Sequence, residues 1–328
     1  MAAKDPLTAA IVGLGEVAGL DAGQSGLLLI FLSLVGMGLA FHGRADWMRW
    51  LAVPGWVGVG LYFFMSAGHY IEIEDPILVF MTAAALPVCI AYAIWEGILL
   101  RQDRQIPSIT WLRGAVFWSA MPYLAVQHVP LLNAAVVWFT AWNTSLMLQW
   151  SGAGDIVLGP MMVDLGTTEV ALSTWEGSRW LLTDTLGEGG FFVPMVDQST
   201  GAEINIGFVL GCSALQSMIV FVGALVAVRE SPWRSRMRMM ALVIPLIHIL
   251  NVFRNAGIIW MHVTYRGRFD FFGIHIFDFA HAYAAKVLSL SAMYLMALML
   301  FSQLPALHRH VVDVLAPMLR LFGVKTTA

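Results

Sequence analysis

Charge is scarce in this chain. Only 12% of its 328 residues are Asp, Glu, Lys or Arg, against roughly 25% in a soluble globular protein. Hydrophobic residues make up 59%, and the mean hydropathy is +0.75. So little charge excludes most soluble classes, intrinsic disorder and fibrous repeats. The net charge of −3 carries no basic footprint for nucleic acid. Cysteine is scarcer still: Cys89 and Cys212 are too few for a disulfide scaffold. Internal repeats and low-complexity tracts are also missing. What remains is a polytopic membrane protein.

The first apolar run, 27–41, follows Lys4, Asp5, Glu16 and Asp21 and precedes Arg44 and Arg49. A secretory signal has the opposite charge order, so this run reads as a retained span with its N-terminus outside. Further apolar runs follow at about 50–67, 77–100, 112–128, 130–149, 205–228, 239–262 and 283–303. Eight spans of ~20 residues would use ~160 residues. Trp47, Trp50, Trp111, Trp150, Trp233 and Trp260 sit near the run ends, as an interfacial aromatic belt would. Asp75-Pro76 and Ser231-Pro232 punctuate the pattern. The expected fold is an all-α polytopic membrane protein, a bundle of about 7–8 transmembrane helices.

Basic residues set the orientation. Arg229, Arg234, Arg236 and Arg238 stand against Glu230 alone in 229–238; Arg101 and Arg104 lie in 101–104; His308, Arg309, His310, Arg320 and Lys325 lie in the tail. The positive-inside rule makes these three regions cytoplasmic. The long 151–203 segment carries Asp155, Asp164, Glu169, Glu176, Asp184, Glu188, Asp197 and Glu203 against Arg179 alone, and is expected outside the cell. Parity then requires an odd number of crossings between 101–104 and 151–203, where two apolar runs are visible. Either the 130–149 run, with Asn133, Asn143, Thr144 and Ser145, is interfacial or re-entrant, or part of 151–203 also crosses. Four regions result: N-terminal membrane helices over 1–150, an extracytoplasmic segment over 151–203, a three-helix core over 204–304 and a cytoplasmic tail over 305–328.

The last three runs alternate around the arginine-rich loop, and this topology brings Cys212, Arg254 and His281 to one depth near the outer face. A thiolate is a nucleophile whose pKa falls near a cation or a helix N-terminus, and Cys212 has Arg254 and the start of its own expected helix. A histidine within reach can carry a proton in acyl transfer, and Arg254 can stabilise a tetrahedral oxyanion. Asp278, three residues before His281, can orient the imidazole. Cys89, without polar companions, reads as a packing residue, whereas Ser213, Gln216 and Ser217 accompany Cys212. An arginine within a span costs at least ~2.5–3.5 kcal/mol and marks function by default, with an ion pair or snorkelling as its structural alternative. His248, Asn251, Asn255 and His262 form a polar stripe that helix–helix hydrogen bonding explains as well as catalysis does. No ligand spacing among His248, His262, His275 and His281 supports a metal, and no cofactor is expected.

These segments resemble a known family. Gly211-Cys212-Ser213-Ala214-Leu215-Gln216-Ser217-Met218 is similar to the cysteine motif of the exosortase/archaeosortase family, its archaeosortase branch in particular. Asn251-Val252-Phe253-Arg254-Asn255 resembles the arginine motif, and the stretch from Ala280 to Ser289 the third motif. The resemblance covers about 204–303; upstream only the apolar pattern and the Glu72–Pro76 turn look similar. It implies a membrane-embedded cysteine transpeptidase. Such an enzyme recognises a C-terminal sorting signal on surface proteins (a short motif of Pro-Gly-Phe type, a transmembrane helix, a basic tail). It cleaves outside through a thioester, and a membrane lipid is the acyl acceptor. Carried over, Cys212 is the nucleophile and Arg254 the transition-state residue. The third position falls on His281, as in exosortases, or on Lys286 in a shifted alignment, since archaeosortases carry an arginine there. Gln216, Asn251, Asn255, Asp278 and Lys286 are candidates for substrate binding. Two other readings stand beside this one: an intramembrane cysteine protease that ends in hydrolysis, and a non-catalytic polytopic solute carrier.

Overall fold

The computed structural model describes residues 5–72, 75–182, 186–265, 270–271 and 274–321. Part of the Glu72–Pro76 turn, Asp184 and Lys325 lie outside the described residues. The described chain forms two compact units, one within Met1–Met121, Gly223–Glu230 and Ala306–Ala328, the other within Pro122–Val222 and Ser231–Pro305.

The first unit contains α1 (Pro6–Val17), α2 (Ala22–His42), a single turn α3 (Asp46–Arg49), α4 (Ala52–Glu72), α5 (Pro76–Arg101) and most of α6 (Pro107–His128). Local chemistry starts these helices. Asp21 and Gln24 form a reciprocal capping box at the head of α2, with Gln24 N donating to Asp21 Oδ1 at 2.8 Å. Asp75 caps α5 through the Ile77 and Leu78 N–H groups, and Pro76 fills the first helical position. Glu96 of α5 and Arg113 of α6 form an ion pair in which both residues are buried, and Trp56 Nε1 donates to Glu96 Oε2 at 2.7 Å. Sharing one carboxylate between two donors satisfies a charge that would be costly alone.

The second unit is built on α7 (Pro130–Trp150), the long α9 (Trp233–Tyr265) and a sheet between them in sequence. The 151–203 region, with the residues up to Phe208, forms five antiparallel strands: β1 (Ile156–Leu158), β2 (Met162–Asp164), β3 (Glu169–Ala171), β4 (Phe191–Asp197) and β5 (Ala202–Phe208). Their order is β1-β4-β2-β3, and β5 pairs with β4. Val193, Met195, Ile204 and Phe208 of the sheet pack with Val137 and Ala141 of α7 and Ala256 and Ile259 of α9 in one core. Ser145 Oγ and Gln149 Nε2 both donate to Ile156 O, at 2.7 and 3.0 Å, which ties the end of α7 to β1. A smaller core of Val163, Trp175 and Phe191 supports the outer strands. Several acids of this region serve turns: Asp164 accepts from Gly166 N and Gly189 N at 2.7 and 2.9 Å.

Six helical stretches among the described residues are long and apolar enough to cross a membrane: Ala22–His42, Asp46–Glu72, Pro76–Arg101, Pro130–Trp150, Trp233–Tyr265 and Phe279–Gln303. The protein is therefore a predominantly helical, polytopic membrane protein, as the composition implies, with a small sheet that composition did not foreshadow. Two expectations change. The apolar run at 205–228 is not one helix. Residues up to Phe208 continue β5, Leu210–Ser213 make a 3₁₀ turn, and α8 spans only Leu215–Ala227. At ~1.5 Å per residue α8 is ~20 Å long, short of the ~30 Å hydrocarbon core. The run at 130–149 is one continuous helix, α7. Its Thr140, Thr144 and Ser145 are buried in protein, which explains polar residues in an apolar run. Between α7 and β5 the described residues contain no helix, so 151–203 does not supply a further helical crossing there.

Beyond α9, a hairpin pairs β6 (Asp270–Phe271) with β7 (Ile274–His275). A short α10 (Ile276–Asp278) and a π-helical turn (Phe279–Ala284) lead into α11 (Ala285–Gln303), and α12 (Pro305–Leu321) follows as an amphipathic helix.

Candidate active site

Cys212 sits in the 3₁₀ turn between β5 and α8, at the sheet end of the core that α7 and α9 complete. The turn is held from within: Cys212 N donates to Val209 O at 2.9 Å, and the buried Ser213 donates from Oγ to Leu210 O at 2.6 Å. Ala214 closes it in the left-handed region, at φ +54° and ψ 16°. That conformation costs a residue with a Cβ about 1 kcal/mol or more, so the surroundings must fix it.

α9 supplies that fixing. Asn251 and Asn255 are four residues apart and share a helix face. Their Nδ2 groups both donate to Cys212 O, at 2.7 and 3.0 Å. Both asparagines are buried, at 7% and 5% exposure, so the two amides and the carbonyl satisfy one another in an apolar setting. Arg254 joins from the same helix: its Nη1 donates to Asn255 Oδ1 at 3.1 Å. Asn255 thus donates to the cysteine's backbone and accepts from the arginine.

The thiol lies ahead of α8, outside the six apolar stretches. Burial pushes its pKa up, and the Val209 backbone and the Arg254 charge pull it down by less. The expected lowering is therefore outweighed: the guanidinium is near enough to act on the sulfur, but desolvation wins.

Beside this group lies a cleft of about 120 Å³. Ala214 and Ser217 line it from the cysteine arm, Phe253 and Arg254 from α9, and Ser289 and Met293 from α11. Ser217 Oγ donates to Met293 Sδ at 3.5 Å across it. The walls are mostly apolar, with a single cation at one side.

The remaining candidates lie elsewhere. His281 is exposed in the π-helical turn, its ring stacked parallel to Phe277 at 5.7 Å. Lys286 is exposed in the first turn of α11. Neither lines the cleft. The Asp278 side chain lies outside the described residues. Gln216 is exposed and donates to the Tyr123 hydroxyl at 2.9 Å. The polar stripe on α9 divides: Asn251 and Asn255 serve Cys212, His248 stacks on Phe139 at 4.9 Å, and His262 meets Phe277 edge-on at 5.4 Å. Cys89 is buried in α5. Not foreseen were the convergence of two asparagines on one carbonyl, the left-handed Ala214, and Ser289 and Met293 around the cleft, whereas Ser217 was already marked as a companion of Cys212. The four-residue spacing of the asparagines around Arg254 was the one available signal for the first.

No family model matches the chain, and no solved structure matches it. Archaeosortase A of Haloferax volcanii is 23% identical over 203 residues, an alignment that takes in 52% of this chain and 66% of that protein, just under two thirds of its length. With the Cys212 and Arg254 motifs in order, this similarity supports a distant relationship of the chain to the archaeosortase/exosortase family.

Proposed function

We propose that the chain is a membrane-embedded cysteine transpeptidase that processes surface proteins carrying a C-terminal sorting signal. The observation that carries the reading is the hydrogen-bonded group of Cys212, Asn251, Asn255 and Arg254 beside an apolar cleft. Asn251 and Asn255 position the cysteine turn. Cys212 Sγ, deprotonated once substrate is bound, attacks the scissile carbonyl. The carbonyl electron pair moves to oxygen, where the Arg254 guanidinium offers fixed positive charge in a low-dielectric setting. Collapse breaks the C–N bond, the leaving amine takes a proton, and a thioester remains. A hydroxyl or amine of a membrane lipid then attacks the thioester, the C–S bond breaks and the thiol is restored. The reading gives the proton transfers to His281, which has to approach Cys212 from its exposed turn once substrate is bound. Lys286, as a cation, can bind an oxyanion but is a poor base at neutral pH.

The signal in this reading is a Pro-Gly-Phe-type motif, a transmembrane helix and a basic tail. The active site faces outside, and 229–238 faces the cytoplasm. Cys212→Ala decides the central claim: a reporter bearing such a signal accumulates uncleaved while the variant reaches the membrane normally. Normal processing in Cys212→Ala would sink the reading. Mass spectrometry of the product's new C-terminus then separates lipid transfer from hydrolysis.

A further inference from the structure

α7 is long and apolar enough to cross a membrane, yet the sheet accompanies it from end to end. At its head, Leu131 N donates to Arg179 O at 3.1 Å and Leu182 N to His128 O at 2.8 Å. Arg179 stacks over Trp175, which packs with Phe191 at the start of β4. At its tail, Ser145 and Gln149 hold Ile156 O, and Ile156 pairs with Asp197 at the end of β4. Between these ends Val137, Ala141 and Leu148 pack with Val193 and Met195. Strand β4 therefore runs antiparallel along α7. Its seven residues span ~23 Å at ~3.3 Å each, and Leu131 to Gln149 spans ~27 Å at ~1.5 Å per residue.

A helix covered in this way cannot cross hydrocarbon without taking the sheet with it. Among the described residues β3 pairs only with β2 and β5 only with β4. Both leave open edges, which lipid does not tolerate. Glu169, Glu176, Glu188 and Glu203 are exposed around the sheet, and ionised side chains are costly in the bilayer. The opposite face of α7 has the reverse character. Leu131, Leu132, Trp138, Phe139 and Trp142 are exposed there, and the Trp138 and Trp142 rings stack at 5.6 Å. Tryptophan is enriched at the lipid–water boundary. Chain parity agrees. With 101–104 read as cytoplasmic and 151–203 as external, an odd number of crossings lies between them. α6, with 22 residues, supplies one; a crossing by α7 would make two.

We propose that α7 is an interfacial helix and not a transmembrane span: its aromatic face lies in the outer leaflet at the boundary of headgroups and acyl chains, and the sheet covers its other face on the water side. The occupant of the aromatic face is phospholipid. An isolated interfacial helix needs a polar face of its own; for α7 the sheet takes that place. Nothing in this placement depends on the Cys212 chemistry. The test uses the full-length protein with Cys89→Ala and Cys212→Ser, reconstituted in vesicles of phosphatidylcholine and phosphatidylglycerol. Bimane is attached at single cysteines, Leu132→Cys, Ala135→Cys or Trp142→Cys, all at exposed positions. Its fluorescence is quenched by lipids carrying a doxyl group near the headgroup or near the chain end. The apolar face of an interfacial helix sits about 5–10 Å deep, so the shallow label should quench all three positions more strongly, and in a similar ratio. A crossing helix places position 142 ~15 Å deeper than position 132; preferential quenching of 142 by the deep label would overturn the proposal. So would absence of quenching at all three, the result of a protein partner or a second copy on this face. A second measurement reads the two ends and leaves the face untouched. Trp180→Cys, beside the head of α7, and Ser151→Cys, just after its tail, are both at exposed positions and should both react with an impermeant maleimide on intact cells. Reaction of the two ends from opposite sides, or of both only after permeabilisation, would likewise overturn it.

Discussion

Asn251 and Asn255, one helical turn apart on α9, donate to the same acceptor, the carbonyl oxygen of Cys212, at 2.7 and 3.0 Å. A backbone carbonyl with two amide donors is pinned in direction as well as place. The pin comes from the helix that carries Arg254, so the cysteine turn and the guanidinium are referenced to one rigid element.

Removing Asn255 therefore has two consequences. Asn255→Ala deletes a donor to Cys212 O and the acceptor for Arg254, whereas Asn251→Ala deletes only a donor. Leaving a buried polar group unpaired costs about 1–3 kcal/mol. We expect Asn255→Ala to slow processing about tenfold or more, with Asn251→Ala milder and the double variant worse than either. A purely structural role lowers folded protein without changing the thiol. A positioning role changes the rate at which iodoacetamide alkylates Cys212 per folded molecule, and that rate is the measurement.

Arg254→Lys tests the charge against the fork. Lysine keeps a positive charge but loses the planar donors, and loss of one oxyanion donor typically costs ~10²–10³ in rate. Processing should fall to that extent at normal protein abundance. A structural arginine gives the opposite pattern, lower abundance with normal processing by surviving molecules, and that outcome would remove Arg254 from the catalytic residues.

The Cys212 thiol supplies a pH prediction. Burial raises its pKa overall, so the neutral thiol dominates at neutral pH. In a Cys89→Ala background, alkylation of Cys212 should be slow at neutral pH. It should keep rising beyond pH ~8.5, the midpoint of a free thiol. Arg254→Ala removes the charge that opposes the shift and should move the profile further up. A profile that levels off below pH ~7 would mean a resting thiolate and a different electrostatic balance.

Much of this was legible in the residues, and the failures have physical causes. Long apolar runs with Trp at their ends became the six apolar stretches, because hydropathy over ~20 residues is a strong signal. Asp75-Pro76 became a helix cap because Asp and Pro carry their roles locally. Cys212 and Arg254 stood out because each is unusual in apolar company. The sheet was hidden: its strands are three to seven residues long, β4 is apolar on both faces, and the alternation of β5, with Ile204, Ile206 and Phe208 between Glu203, Asn205 and Gly207, runs straight into the apolar stretch that follows. The break inside 205–228 was hidden for a related reason. Ile204, Ile206, Phe208, Val209 and Leu210 are apolar whether they form a strand or a helix, and only the packing of Ile204 and Phe208 against α7 and α9 decides.

The orientation can be read with one probe between β3 and β4. Trp180 is 73% exposed, so Trp180→Cys, made with Cys89→Ala and Cys212→Ser, offers a single accessible thiol. An impermeant maleimide added to intact cells should label it. Labelling only after permeabilisation would reverse the proposed topology and place the Cys212 chemistry on the cytoplasmic side.

Ala214 offers the sharpest test of the cysteine turn. It holds φ +54° two residues after Cys212 and lines the cleft. Glycine adopts this region without the Cβ penalty, so Ala214→Gly should process at about the wild-type rate with unchanged or slightly higher melting temperature. Valine is a different matter: a β-branched residue in the left-handed region is a genuine outlier. Ala214→Val should force the turn toward another conformation and pull the Cys212 carbonyl away from Asn251 and Asn255. The sheet core around Trp175 is separate from that turn, so circular dichroism and the abundance of folded protein should report an intact fold while processing is lost. If Ala214→Val processes normally, the left-handed turn is not needed, and the carbonyl pin on Cys212 loses its functional meaning.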